Sequence, residues 1–295
     1  MSHRGTPLFD HREPALDSVT VTHRGFVRWQ IGTVVVLFLF GLVFTLYPTL
    51  AGMTFDGMDG FGLAAGNAED PDMAGAAPEG QRLKLAVFGA LTLFNLNAEG
   101  SFATWWSSFN LGLAAVLAFL VSLRVGRASR FQGILWRGLA VVMLLLCIDE
   151  VAQVHDRINK AQFVLGVLFE SLPSRPWVII GGAFALLVGL ASIPLLLALP
   201  RRVAAQIVLA GAAFVLGAVG LEVLAAELES AGASLYSLPV MTLILIEETL
   251  EMGAIALFNI VLFTRLVPPG LSVRFPETRV PAPVLQAARQ RDAAE

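Results

Sequence analysis

The 295-residue chain is 56% hydrophobic and only 15% charged, with a mean hydropathy of +0.72, whereas soluble domains carry about 25% charged residues. That composition excludes an ordinary soluble globular enzyme and points to an all-α polytopic membrane protein. The net charge of −3 says little about partners, and the single cysteine, Cys147, excludes an intrachain disulfide, a CxxC redox pair or a Cys-ligated iron–sulfur cluster within one chain.

Residues 1–28 are polar and carry Arg4, Arg12, Arg24 and Arg28. The apolar run over 29–50 is too long for a signal-peptide core and has no small-residue cleavage site after it, so it reads as a retained first transmembrane helix. Residues 51–101 form an outer loop. Its first part is rich in Gly, Ala, Asp and Pro, and Asp56-Gly-Met-Asp59-Gly within it lacks the spacing of a calcium loop. The short apolar segment 85–94 reads as an interfacial or re-entrant helix before the second span. Further spans are expected over 102–123, 138–155, 177–199, 203–226 and 238–263, each near the roughly 20 residues needed to cross the hydrocarbon. The second opens with Trp105-Trp106, read as an aromatic belt. The tail over 265–295 is proline-rich.

Basic residues set the orientation. With six spans and both termini in the cytoplasm, 15 of the 20 Lys and Arg residues lie on cytoplasmic segments. Counting 85–94 as a seventh span would put Arg124, Arg127, Arg130 and Arg137 outside, so six spans is the better reading. The expected location is a bacterial inner membrane, in keeping with 18 Arg against two Lys, a bias of GC-rich bacterial coding.

The spans contain six acids and no Lys or Arg: Asp149, Glu150, Glu222, Glu247, Glu248 and Glu251. Ionisable groups at membrane depth are costly and mark functional sites by default. With this topology Asp149 lies roughly 18 Å from the inner end of the third span, and Glu247 and Glu251 roughly 14 and 20 Å below the outer face. Glu222 and Glu99 fall on the same side. Asp156, Glu227 and Glu229 read as interfacial acids. Glu247 and Glu251 are i,i+4 neighbours with Glu248 beside them, so all three fit one helix face. Asp149, Gln153 and Asp156 share a stripe, from which His155 points well away.

Six carboxylates without a buried cation cannot all stay ionised in a dry core. Protonation, a water-filled cavity or a bound cation would each resolve this. An oxygen-rich set with at most one imidazole suits a divalent metal ion, Mg, Mn or Ca, or a carboxylate-bridged Zn or Fe pair. The i,i+5 spacing of Glu150 and His155 departs from the Glu-x-x-His pattern of di-iron bundles. In such a site Asp149, Glu150, Glu222, Glu247, Glu248 and Glu251 would hold the metal, and His155 or Glu99 would move protons. Acidic pairs on the third helix of each three-helix half also raise the possibility of an inverted repeat.

Three stretches carry a resemblance: Asn97-Ala-Glu99-Gly100-Ser-Phe-Ala-Thr104-Trp105-Trp106, Ile-Asp149-Glu150-Val-Ala-Gln153-Val-His155-Asp156 and Glu247-Glu248-Thr-Leu-Glu251-Met252-Gly253. Together, over residues 86–263, they resemble an uncharacterised group of bacterial six-helix inner-membrane proteins with Thr-Trp, Asp-Glu…His and Glu-Glu…Glu-Met motifs. The chain has Ala103 and Asp156 where that group tends to have Pro and Glu. The resemblance implies a shared site and transfers no activity.

Three readings follow. The first is a metal-dependent membrane enzyme acting on an amphiphilic substrate. The second is a proton- or cation-coupled transporter or channel, and the third a structural or assembly subunit of a membrane complex. The expected partners are the lipid bilayer and a lipid or small-ion ligand. No nucleotide loop, serine-hydrolase elbow or HExxH motif is present, and nothing points to nucleic acid.

Overall fold

The computed structural model describes residues 19–50, 93–98, 100–160, 176–234, 237–267 and 272–273. Six of its helices are longer than 20 residues. They are α1 (His23–Leu50), α2 (Phe102–Val125), α3 (Arg130–Ala152), α5 (Trp177–Leu197), α6 (Arg201–Ser230) and α7 (Leu238–Val261). A short helix, α4 (Val154–Lys160), follows α3. Helix α6 holds a π-helical stretch, Leu216–Leu221, and α7 runs on into another, Leu262–Leu266. A separate small unit pairs strands β1 (Val19–Thr20) and β2 (Ser272–Val273) antiparallel, with Val19 opposite Val273.

Five of the six long helices, α1, α2, α3, α5 and α6, are apolar enough to cross a membrane, the mark of a multi-pass membrane protein. The sixth, α7, has 24 residues but carries Glu247, Glu248 and Glu251 in its middle. It is nevertheless the hub of the bundle, packing against α1, α2 and every segment of α6. A helix that is apolar on all sides takes lipid or protein equally well. A helix bearing three carboxylates is kept among other helices.

Local signals start and stop these helices. Gly100, at φ +76°, turns the chain into α2, where the Ser101 hydroxyl accepts from the Thr104 amide. Ser129 caps α3 in the same way by accepting from Gln132. In the tight α2–α3 hairpin a Cβ on Gly133 would lie 2.7 Å from the Gly126 Cα, so only glycine allows that approach. Helices α2 and α3 run antiparallel, with the Ser108 hydroxyl donating to the Cys147 carbonyl at 3.1 Å. The lone cysteine packs partly buried in this pair, as a small helix residue. The Arg124 guanidinium donates to the Leu266 carbonyl, so α2 and α7 run the same way.

A neutral amide cluster ties α1, α2 and α7 together. Gln30 donates to the Asn110 Oδ1 at 2.7 Å, and Asn259 donates to the Asn110 carbonyl at 2.9 Å. Asn110 in turn donates to the Trp106 carbonyl at 2.9 Å. All three amides are fully buried. Where hydrocarbon surrounds a bundle, hydrogen bonds of this kind hold helices in register.

One sequence expectation changes here. Trp105 is 65% exposed, as a belt anchor would be, but Trp106 is 2% exposed and sits in the core beside Leu96, Leu245 and Met252. Adjacent helix positions lie about 100° apart, so one indole faces out and its neighbour faces in. The interfacial segment expected over 85–94 falls mostly outside the described residues; Leu93 and Phe94 form a turn.

Candidate functional site

The acids expected from the sequence separate into two sets. Asp149 sits at the end of α3, where the helix breaks: Gln153 adopts the left-handed conformation, with φ 54° and ψ 46°. This break returns His155 toward Asp149. The His155 backbone amide donates to Asp149 Oδ1 at 3.0 Å, and its ring Nδ1 lies 2.9 Å from Asp149 Oδ2. The expectation that His155 turns away from Asp149 assumed an unbroken helix and is corrected by the turn at Gln153. A carboxylate on Nδ1 orients the ring and fixes its tautomer, which is how histidine is set up as a base or a ligand through Nε2. The ring also lies 5.5 Å from that of Trp177, at the start of α5.

The second set gathers around Glu251. Glu150, adjacent to Asp149 but about 100° round the helix, is near enough for its charge to act on Glu251, as are Glu222, Glu247 and Glu248. Helices α3, α6 and α7 thus each contribute. Glu222 is buried at 6% exposure and the other four are partly buried.

The close approach of α6 to α7 makes this possible, and Gly217 makes the close approach possible. A Cβ at position 217 would lie 2.9 Å from Glu251 Cγ and 3.1 Å from the Glu247 carbonyl oxygen. Gly217 lies in the π-helical stretch that ends immediately before Glu222. A π turn takes in one extra residue, so it swings everything beyond it by roughly 100° relative to an unbroken α-helix. It is this turn that sets the direction of Glu222.

Of the remaining sequence candidates, Glu99 and the Asp156 side chain lie outside the described residues. Among the described residues, no group of three or more His, Cys, Asp or Glu side chains is arranged to hold a metal ion. The carboxylates are neighbours but do not form one coordination shell.

A cavity of about 530 Å³ lies beside the site. It is lined by α2, α3, α5, α6 and α7, and includes Leu146, Trp177, Ala218, Val219 and Ala254. Nothing in the motif reading foresaw it. The sequence signal is the run of small residues Gly181, Ala185 and Gly189 on one face of α5.

No curated protein and no solved structure matches the chain. A family model does match, over residues 75–266, a range that includes the second to seventh helices and all three stretches singled out in the sequence. That model is described as a domain of unknown function, DUF8692, and the chain belongs to this family.

Proposed function

We propose that the protein is a six-span bacterial inner-membrane protein with both termini in the cytoplasm, and that its carboxylate cluster binds a cation to support a reaction on an amphiphilic substrate. The observation that carries this reading is the close approach of α6 to α7 at Gly217, where a Cβ would lie 2.9 Å from Glu251 Cγ and 3.1 Å from the Glu247 carbonyl oxygen, with Glu222 buried just beyond the π turn, on helices whose spans contain no Lys or Arg. An ionised carboxylate offers acceptors only. Of protonation, a water-filled cavity and a bound cation, we read the cation as what resolves the like charge of these carboxylates. Hard cations with oxygen ligands match that chemistry. The glutamate side chains would swing inward to complete the shell, and their three side-chain torsions allow it.

The enzyme reading is favoured by the Asp149–His155 pair at the same end of the bundle. An imidazole oriented by a carboxylate is suited to proton transfer near neutral pH. Its neighbour Trp177 also lines the apolar cavity, which suits a substrate that is part polar and part hydrocarbon. Equilibrium dialysis of the detergent-purified protein against Mg²⁺, Mn²⁺, Ca²⁺, Zn²⁺ or Fe²⁺, followed by elemental analysis, tests the cation. Stoichiometric retention of one of them, lost in Glu251→Gln, is expected. Retention of none by the native protein would overturn the reading.

A further inference from the structure

The apolar cavity has a shape and position that no carboxylate argument requires. Only Gly181 and Leu195, near the two ends of α5, are buried on that helix. The middle of α5 stands away from the bundle, and the cavity is the space left between. Its lining on α5 runs from Trp177 to Leu196, about 28 Å at 1.5 Å per residue. This nearly equals the roughly 30 Å hydrocarbon thickness of a bilayer. The volume of about 530 Å³ falls within the roughly 300–1,000 Å³ of ordinary ligand sites, but it is drawn out into a slot. Among the described residues the lining contains no ionisable side chain, and its one hydroxyl, Ser192, donates to the Val188 carbonyl of its own helix.

The slot reaches the carboxylates along three helices at once. Leu146, Val219 and Ala254 line it, and each lies three or four residues from Glu150, Glu222 and Glu251 respectively. On α3 and α6 the lining residue precedes the acid, and on α7, which runs the opposite way, it follows. All three acids therefore sit beyond the same end of the slot. At that end Trp177 rests over Gly181, whose Cβ would meet the indole at 3.0 Å, and it also contacts His155.

We infer that the slot binds the hydrocarbon chain of a single-chain amphiphile with a neutral or cationic head, and that the head lies at the carboxylate end beside Trp177 and His155. An anionic head would face the like charge proposed for the cluster, with His155 as the one basic group the head is placed against. The chain-binding part stands on the slot alone; the head-group preference rests on the proposed charge of the cluster.

The test uses full-length protein in detergent, a long-chain alkylamine carrying a diazirine along its chain, and the fatty acid of the same length. Adducts are mapped by mass spectrometry after illumination. The amine should label α5 and α6 residues that line the slot. Gly189 and Gly211 both line it, and a Cβ at either meets nothing within 4 Å. Gly189→Leu and Gly211→Leu should therefore fill the slot without backbone collision and cut labelling about tenfold. Labelling spread around the outer helix faces and unchanged in both variants would overturn the inference. So would fatty-acid labelling equal to that of the amine, or cross-links between copies of a Gly211→Cys variant in place of amine adducts. Slot labelling by the amine in a protein that retains no cation would support this inference while overturning the cation reading.

Discussion

Two groups of polar side chains lie inside this apolar bundle, and they solve the same problem differently. Gln30, Asn110 and Asn259 are amides, and each brings both donors and acceptors. They join α1, α2 and α7 by direct hydrogen bonds, although the Gln30 Oε1 and Asn259 Oδ1 acceptors are buried without a partner among the described residues. The carboxylates that act on Glu251 come from α3, α6 and α7 but, when ionised, they can only accept. Eight residues of α7, about 12 Å along its axis, separate Asn259 from Glu251. One helix thus carries a cluster that fastens the bundle and the cluster proposed to hold a cation. Buried groups that bond one another directly fasten a bundle, whereas like charges gathered at depth are the ones to test for function.

The largest expected effect comes from breaking the amide cluster. Asn110→Leu strands the Gln30 amide and removes the longer of two Asn259 contacts, leaving Asn259 its bond to the residue-110 carbonyl, and should lower stability by about 3 kcal/mol, since a stranded buried polar group costs about 1–3 kcal/mol. Thermal unfolding in detergent measures this. Pairing Asn110→Leu with Gln30→Leu should recover part of the loss, because the amide left stranded is then also removed. If the single variant unfolds like the native protein, the amides are not the fastening.

Gly217→Ala comes next. Its Cβ would press on Glu251 and on the α7 backbone. Overpacking of that kind costs about 1–3 kcal/mol, so a loss near 2 kcal/mol is expected, together with weaker cation retention because α6 is pushed off α7. A stability loss with retention unchanged would separate Gly217 from the site.

His155→Ala removes the side-chain partner of Asp149 and leaves the backbone contact at 3.0 Å. A loss of about 1 kcal/mol, with cation retention kept and turnover lost, would mark the pair as proton-transfer machinery distinct from the carboxylate cluster. Loss of cation retention as well would merge the two sets.

The helical architecture and the carboxylates were legible in the sequence because each leaves a local signal: a long apolar run, or an acid interrupting one. Other features depend on three-dimensional irregularities. His155 joins Asp149 only through the left-handed turn at Gln153, a residue with no obligation to adopt it. Glu222 is aimed by a π turn, and a helical wheel drawn from Arg201 misplaces it by about one position. Of the two neighbouring tryptophans, the one facing the core could not be chosen without knowing which side of α2 meets α7. The amides Gln30, Asn110 and Asn259 were visible as polar residues within apolar runs. Their partnership across 80 and 149 residues of sequence was not, because nothing local to any of them specifies it.

The smallest expected effect on stability, Glu251→Gln, gives the most direct test of the account. The variant keeps the shape of the side chain and reduces the negative charge at the centre of the cluster. Titration of the purified protein with Mn²⁺, followed by electron paramagnetic resonance, should show saturable binding in the native chain and none in Glu251→Gln, with the unfolding temperature unchanged or raised. A variant that binds Mn²⁺ as the native chain does, or one that unfolds as readily as Asn110→Leu while losing no binding, would show that these carboxylates fasten the bundle rather than serve a ligand.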